Sequence, residues 1–307
     1  LDLVFLGTGS AWGVPELGCP CRICQKMRSL QEERTRSAFL LSGRETLLLD
    51  CGPDIRRQLA DWPIDRLDAI LISHEHADHY FGLDDLLALR RRLPREKWRP
   101  IPTYATRASW TSIKKAFGYL LDSLLEPRIA NPGERLEGLA TDVYPFKTFH
   151  GESAPGSVGY IVEETGSGNP HKLVYTSDFF DLPKEEPRVK DPDILILQCH
   201  WLNEPVINRP HQMSLERGIE FVKLWKPRRT VYLVHLSEAY PIDGDPANDA
   251  LKKVAARKPK RDPQTDLPYP LPGCQAEWQE VAARLFRNEG LDVPVIVPRD
   301  GLKVTLW

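Results

Sequence analysis

Apolar residues along this chain fall into short blocks with two rhythms. "LDLVFLG" at residues 1–7, "AFLLS" at 38–42 and "TLLLDCG" at 46–52 are runs too short for a helix, closed by glycine or polar residues. That is the pattern of buried strands, and the second and third are joined by a turn at Gly43. "RLDAILISHEHADH" at 66–79 predicts a strand that runs into a polar loop. The rhythm then changes: "YFGLDDLLALRRR" at 80–92 has apolar positions at helical spacing and stops before Pro94. A strand at "IPTYAT" and a helix over "RASWTSIKKAFGYLLDSL" follow, then three strands at "DVYPFKTFHG", "SVGYIVEE" and "HKLVYTSD". "DILILQCHW" reads as another strand, "SLERGIEFVKLW" as a helix and "RTVYLVHLS" as a strand. A helix at "AEWQEVAARLFRNEG" and a last strand end the chain.

Residues 240–272 break the pattern. They are rich in proline, aspartate and lysine and weakly periodic, with one stretch, "NDALKKVAARK" at 248–258, that predicts a helix. We read them as an insertion within one domain spanning 1–307, not as a linker between two. Strands and helices mixed in two halves make the chain an α/β protein.

Composition narrows the options. Of 307 residues, 41% are hydrophobic and 27% charged, which is globular. A net charge of −2 gives no footprint for a polyanion and argues against a nucleic-acid partner. The apolar runs are far short of a membrane span, so no membrane partner and a cytoplasmic location are expected.

Candidate chemistry sits at the strand ends. The sequence holds eight histidines, and His74, His76 and His79 crowd into six positions with Asp78. Imidazole and carboxylate suit zinc, manganese or iron. Asp50, His150, Asp178 and His235 each stand at or just past another strand end. Adding His150, Asp178 and His235 to the four gives seven ligands, too many for one tetrahedral ion and enough for two. Two such ions can activate water and clamp a phosphoryl or carbonyl oxygen.

These segments, "LLLDCG", "SHEHADH", "FHG", "YTSD" and "VHLS" in that order, resemble the metallo-β-lactamase superfamily of binuclear metallohydrolases. The resemblance implies a four-layer α/β/β/α sandwich with the site at one edge. It also implies that His74, His76 and His150 hold one metal, that Asp78, His79 and His235 hold the other, and that Asp178 bridges them. Asp50 would lie behind the ligands and orient the loop or a ligand histidine.

A second cluster is Cys19, Cys21 and Cys24, half of the six cysteines. Three thiolates at C-x-C-x-x-C can take three corners of a structural zinc; an iron–sulfur ligand set and three reduced thiols are the alternatives. Following "LGTGSAWG", this cluster resembles the branch that contains the phosphoribosyl cyclic phosphodiesterase of the carbon–phosphorus lyase pathway and, further off, the pyrroloquinoline quinone biosynthesis protein B. In the cyclic phosphodiesterase, the fourth zinc ligand is a histidine three residues after the last active-site histidine. Here that position is Glu238. Glu238 or Cys274 would complete the site, or the site is weak. "GTGSAWG" reads as a tight turn that brings the cysteine segment close to the active site.

Cleaving a phosphodiester also needs a proton for the leaving oxygen. His211, in "NRPHQMSLERG", resembles the related proton donor in its distance from the last ligand, and His200 ends a strand nearby. The expectation is a hydrolase of a small or cyclic phosphate ester, with Asp78 and His211 as catalytic residues and a homodimer left open. Two readings compete with it: an RNA-processing endonuclease of the transfer-RNA 3′ type, which shares "FLGTGS" and the histidine motif, and a non-enzymatic accessory protein of cofactor biosynthesis. A thioester or lactone hydrolase is a third. Trp12, Trp201, Pro205 and Pro210 suggest a shaped pocket, and residues 240–272 are expected over or beside its mouth.

Overall fold

A computed structural model describes residues 1–164 and 170–307. Two mixed sheets stack face to face. The first is built from β1 (Asp2–Gly7), β2 (Ala38–Ser42), β3 (Thr46–Leu49), β4 (Ala69–Leu71), β5 (Ile101–Ala105) and β6 (Leu125–Ile129). The second contains β7 (Asp142–Lys147), β8 (Val158–Glu164), β9 (His171–Tyr175), β10 (Ile194–Gln198), β11 (Thr230–Val234) and β12 (Val295–Ile296). The last strand, β13 (Leu302–Thr305), crosses back and pairs antiparallel with β1. In each sheet three antiparallel strands lead into parallel ones: β1, β2, β3 then β4 to β6, and β7, β8, β9 then β10 to β12.

Alternation along the strands makes three apolar layers, because successive side chains face opposite sides of a sheet. Leu47 and Leu49 of β3 join Val158, Tyr160, Ile194 and Ile196 between the sheets. Leu48 points outward, into a layer with Ile55, Trp110 and Ile113 from α2 (Ile55–Asp61) and α5 (Arg107–Phe117). Leu195 and Leu197 of β10 face the other way, toward Phe221, Trp225, Trp278 and Phe286 of α6 (Leu215–Trp225) and α7 (Gln275–Asn288). The result is the four-layer α/β/β/α sandwich. The strands are buried on both faces, which is why their sequences are nearly continuous apolar runs.

Several expectations are corrected. The helix over 80–92 is broken into α3 (Ala77–Tyr80), a 3-10 turn at Leu83–Leu86 and α4 (Leu87–Arg91). Gly82 lies against the carbonyl of Gly52 there, so close that a Cβ would come within 2.0 Å of its oxygen. The helix expected over 107–124 stops at Phe117, and the one last strand is two short ones, β12 and β13. The helix over 248–258 does not form. Asp245 accepts the Ala247 N–H, and the Asn248 side chain bonds both backbone groups of Ile242, so the chain turns instead of coiling. α1 (Arg22–Ser29), α2 and β6 have no counterpart in the sequence reading.

Residues 240–272 pack on the body of the protein. Arg284 pairs with Asp262, Lys260 with Glu289 at 2.5 Å, and Asn288 with the Tyr269 hydroxyl at 2.6 Å, all from α7 or its end. Val206 and Arg257 exchange backbone bonds across to residues 255 and 204. No helix among the described residues is long and apolar enough to cross a membrane.

Candidate metal centre

Strand ends place the site. Asp50 follows β3, His74 to His79 follow β4, His150 follows β7, Asp178 follows β9 and His235 follows β11. The carboxyl ends of parallel strands are where open α/β sheets build their crevices. Asp50, Ser177, His211 and His235 all have positive φ, between 49° and 62°. Non-glycine residues in this region carry strain that the surrounding structure must hold, and here they cluster at one site. Gly52 lets α3 lie directly on the β3 end: a Cβ would stand 2.1 Å from the Asp78 carbonyl oxygen.

Two groups of side chains converge. His74, His76 and His150 each offer a nitrogen, all within 4.8 Å of one another. His74 Nε2 and His76 Nδ1 are 3.1 Å apart. Zinc–nitrogen bonds of 2.0–2.1 Å in a tetrahedron set ligand nitrogens about 3.4 Å apart, so the spacing is that of a ligand pair. His76 Nε2 lies 3.1 Å from the Ser153 hydroxyl. The second group is Asp78, His79, Asp178 and His235, also within 4.8 Å. Asp178 Oδ2 stands between the groups, 3.0 Å from His235 Nε2 and 3.7 Å from both His79 Nε2 and His150 Nε2.

The buried Nε2 atoms of His79, His150 and His235 have no hydrogen-bond partner. Their burial without partners calls for an explanation. On two of these rings the other nitrogen is committed: His79 Nδ1 donates to Asp50 Oδ2 at 2.9 Å, and His150 Nδ1 to the His211 carbonyl at 3.0 Å. That leaves a lone pair on each Nε2, aimed at the shared space, which fits a divalent metal.

Asp50 organises this half of the site from below. Oδ2 accepts from the Ser73 and Tyr175 hydroxyls and from His79, each at 2.9 Å, and Oδ1 accepts the Ser73 N–H at 2.8 Å. Ser73 Oγ lies 3.0 Å from His74 Nδ1, so one carboxylate fixes a ring in each group. On the far side, Gln198 accepts the Phe179 N–H at 2.8 Å, approaches His235 Nδ1 to 3.3 Å and bonds Gln212, whose amide reaches Asp178 Oδ2 at 3.4 Å. The sequence reading missed Ser73, Tyr175, Gln198 and Gln212. All four stand within three residues of ones that drew attention: Ser73 beside His74, Tyr175 before Asp178, Gln198 before His200 and Gln212 after His211.

Charge is divided within the site. Burial holds His74 well below the usual imidazole range and lowers His150 to about 4, so both are neutral donors. Burial works against His235 as well, but the negative charge of Asp178 close beside it lifts it to about 9. Burial pushes Asp78 and Asp178 up, yet the facing imidazoles outweigh it and hold both well below the ordinary carboxylate value. Holding a metal here would require His79 and His235 as neutral imidazoles, each with a lone pair on Nε2.

The His211 ring packs on Phe149 and Phe180 and over Gly151, where a Cβ would stand 2.8 Å from its Nδ1. That puts it one residue from His150, and its ring nitrogens carry no protein hydrogen bond among the described residues. His200 lies 5.6 Å from His235 between ring centroids, with Trp201 on its other side at 4.4 Å. Trp12 and Pro210 are exposed, whereas Trp201 and Pro205 are buried beneath residues 240–272, so the four do not shape one pocket. Cys19, Cys21 and Cys24 form a separate group, Glu238 lies with Cys19 and Glu16, and Cys274 belongs to neither.

The family described as "Beta-lactamase superfamily domain" matches residues 45–236. An octanoyltransferase of Porphyromonas gingivalis is 29% identical over 252 residues, 78% of this chain and 46% of that protein. The chain spans about half the length of the curated relatives it matches. A diphosphatase of the PhnP family superposes with a TM-score of 0.69 at 23% identity, covering 99% of this chain and 97% of that one. Zn²⁺-bound PqqB from Methylobacterium extorquens gives 0.70 at 20% identity, covering 99% and 100%.

Proposed function

The chain belongs to the beta-lactamase superfamily, and from that premise we propose that it is a hydrolase of small phosphate esters working with two divalent metal ions. The observation that carries the reading is the set of three buried imidazole nitrogens without partners around Asp178 Oδ2. His74, His76 and His150 would hold one ion, Asp78, His79 and His235 the other, with Asp178 between. Bound there, such ions polarise a phosphoryl oxygen and lower the pKa of water.

The chain's own groups supply the rest. Asp50 holds His79 and, through Ser73, His74 in the tautomer that presents a lone pair. Gln198 and Gln212 fix Asp178 and His235 from the opposite side. His211, with free ring nitrogens beside His150, is the proton donor to the leaving oxygen. A small ester is favoured over RNA because the chain is slightly acidic overall. The similar proteins bear unlike names, and of these the diphosphatase supports hydrolysis at a phosphoryl group.

The test joins metal analysis of protein purified without added metal to turnover of a bis-aryl phosphate, a cyclic phosphate, a thioester and a structured RNA. Two ions per His/Asp site and turnover of the diesters are expected. Turnover of the thioester or the RNA with none of either diester overturns the substrate class.

A further inference from the structure

The N-terminal cysteines meet the second half of the chain at a charged joint. Cys19, Cys21 and Cys24 are buried, with their sulfurs within 4.8 Å of one another. The Cys21 N–H points at Cys19 Sγ and the Cys24 N–H at Cys21 Sγ, each at 3.5 Å, as in a loop that wraps a metal with its sulfurs. Cys19 also belongs to a second group with Glu16 and Glu238, again within 4.8 Å. Glu238 is 1% exposed and three residues past His235. One ammonium, that of Lys252, bonds Glu238 Oε1 and Glu16 Oε2, the latter at 2.7 Å. Lys253 donates to the Glu238 carbonyl at 2.6 Å. Cys274 is in neither group and lines a small cavity together with Ile23, Met27 and Trp278.

We infer that Glu238, and not Cys274, closes the fourth corner of a zinc site on Cys19, Cys21 and Cys24, and that Lys252 is the counter-charge which this carboxylate requires. Three thiolates leave one tetrahedral position open, and a carboxylate oxygen is an accepted zinc ligand. Three thiolates and an imidazole around Zn²⁺ carry one net negative charge; a carboxylate in place of the imidazole makes it two. A buried charge without a partner is strongly destabilising. Lys252 answers that extra charge directly, on a carboxylate oxygen of Glu238. The site therefore joins the N-terminal loop, the loop that carries His235 and the segment that supplies both lysines. It stands independently of the hydrolase reading.

The test uses full-length protein loaded with cobalt(II), read by sulfur-to-cobalt charge-transfer absorption, to which the His/Asp group does not contribute. Glu238→Ala is expected to speed loss of the sulfur-bound ion to a chelator by about tenfold or more, and Glu238→Gln, which keeps the volume, to act in the same direction. Glu238→His is expected to restore retention, and Cys274→Ser to change nothing. Lys252→Met is expected to lower the Tm of the loaded protein, and to lower it less when combined with Glu238→His. Four sulfurs at the zinc absorption edge, loss of retention from Cys274→Ser but not Glu238→Ala, or no sulfur-bound ion at all would overturn the inference. An equal fall in Tm from Lys252→Met in both backgrounds would remove the counter-charge role.

Discussion

The Asp50 carboxylate and the His79 imidazole meet at 2.9 Å, Oδ2 to Nδ1, while the other nitrogen of the ring faces the Asp178 carboxylate. One oxygen thus sets which end of His79 carries its proton. Asp50→Asn keeps the shape but sets an amide against three donors. We expect a loss of metal affinity of about 10–100-fold, measured by titration against a competing chelator. Unchanged affinity would show that packing alone orients His79.

Gly52 is where the β3 end touches α3, with 2.1 Å between a notional Cβ and the Asp78 carbonyl oxygen. Gly52→Ala must push the Asp78–His79 turn away. The expected cost is about 1–3 kcal/mol of stability, with weaker metal binding at the Asp78, His79 and His235 group. Gly118→Ala, in open space at φ −55°, serves as the control and should be neutral or stabilising. Equal Tm values for the two variants would disprove the close-contact argument.

His200 gives a pH signature. Burial lowers its pKa to about 3, below the ordinary value of about 6.5. Between those values the unfolded chain binds a proton that the native protein does not, so stability falls as pH drops from about 6.5 toward 3. At pH 5 this is worth on the order of 2 kcal/mol. Denaturant unfolding of wild type and His200→Phe should show a smaller acid loss in the variant. Parallel curves would mean that His200 is already protonated in the folded protein.

If His211 protonates the leaving oxygen, its loss should matter most for poor leaving groups. His211→Ala is expected to cut the rate by about 10²–10⁴ for an alkoxide and far less for a nitrophenolate. The variant is informative because the contact that orients His150 is the backbone carbonyl of residue 211, which alanine retains. The same loss for both leaving groups would remove His211 from the role.

Residues that the sequence made legible lie close in the chain to the feature that exposes them. His74 to His79 follow an apolar strand, and Asp50, Asp178 and His235 stand at similar ends. Tyr175 could not be assigned this way: its hydroxyl serves Asp50 across 125 positions. β6 was hidden by Pro127, which argues against a strand until β6 is seen to lie at the edge of its sheet. α1 was hidden because Cys24 and the two cysteines before it drew the reading toward ligands and away from the helical pair Ile23 and Met27. The 248–258 helix failed through side-chain bonds to the backbone from Asp245 and Asn248, which residue type alone does not announce.

Asp178 Oδ2 lies within 3.7 Å of imidazoles from both halves of the chain: His79 after β4 of the first sheet, and His150 and His235 after β7 and β11 of the second. The site is complete only when the two sheets have docked, and closing it brings together positions more than 150 residues apart. Where such contacts close after the folding barrier, they add to stability without speeding folding. Ions held across that seam would thus act as a brake on unfolding more than as a nucleus for folding. Stripping them would shorten the lifetime of the native state while leaving the refolding rate nearly unchanged.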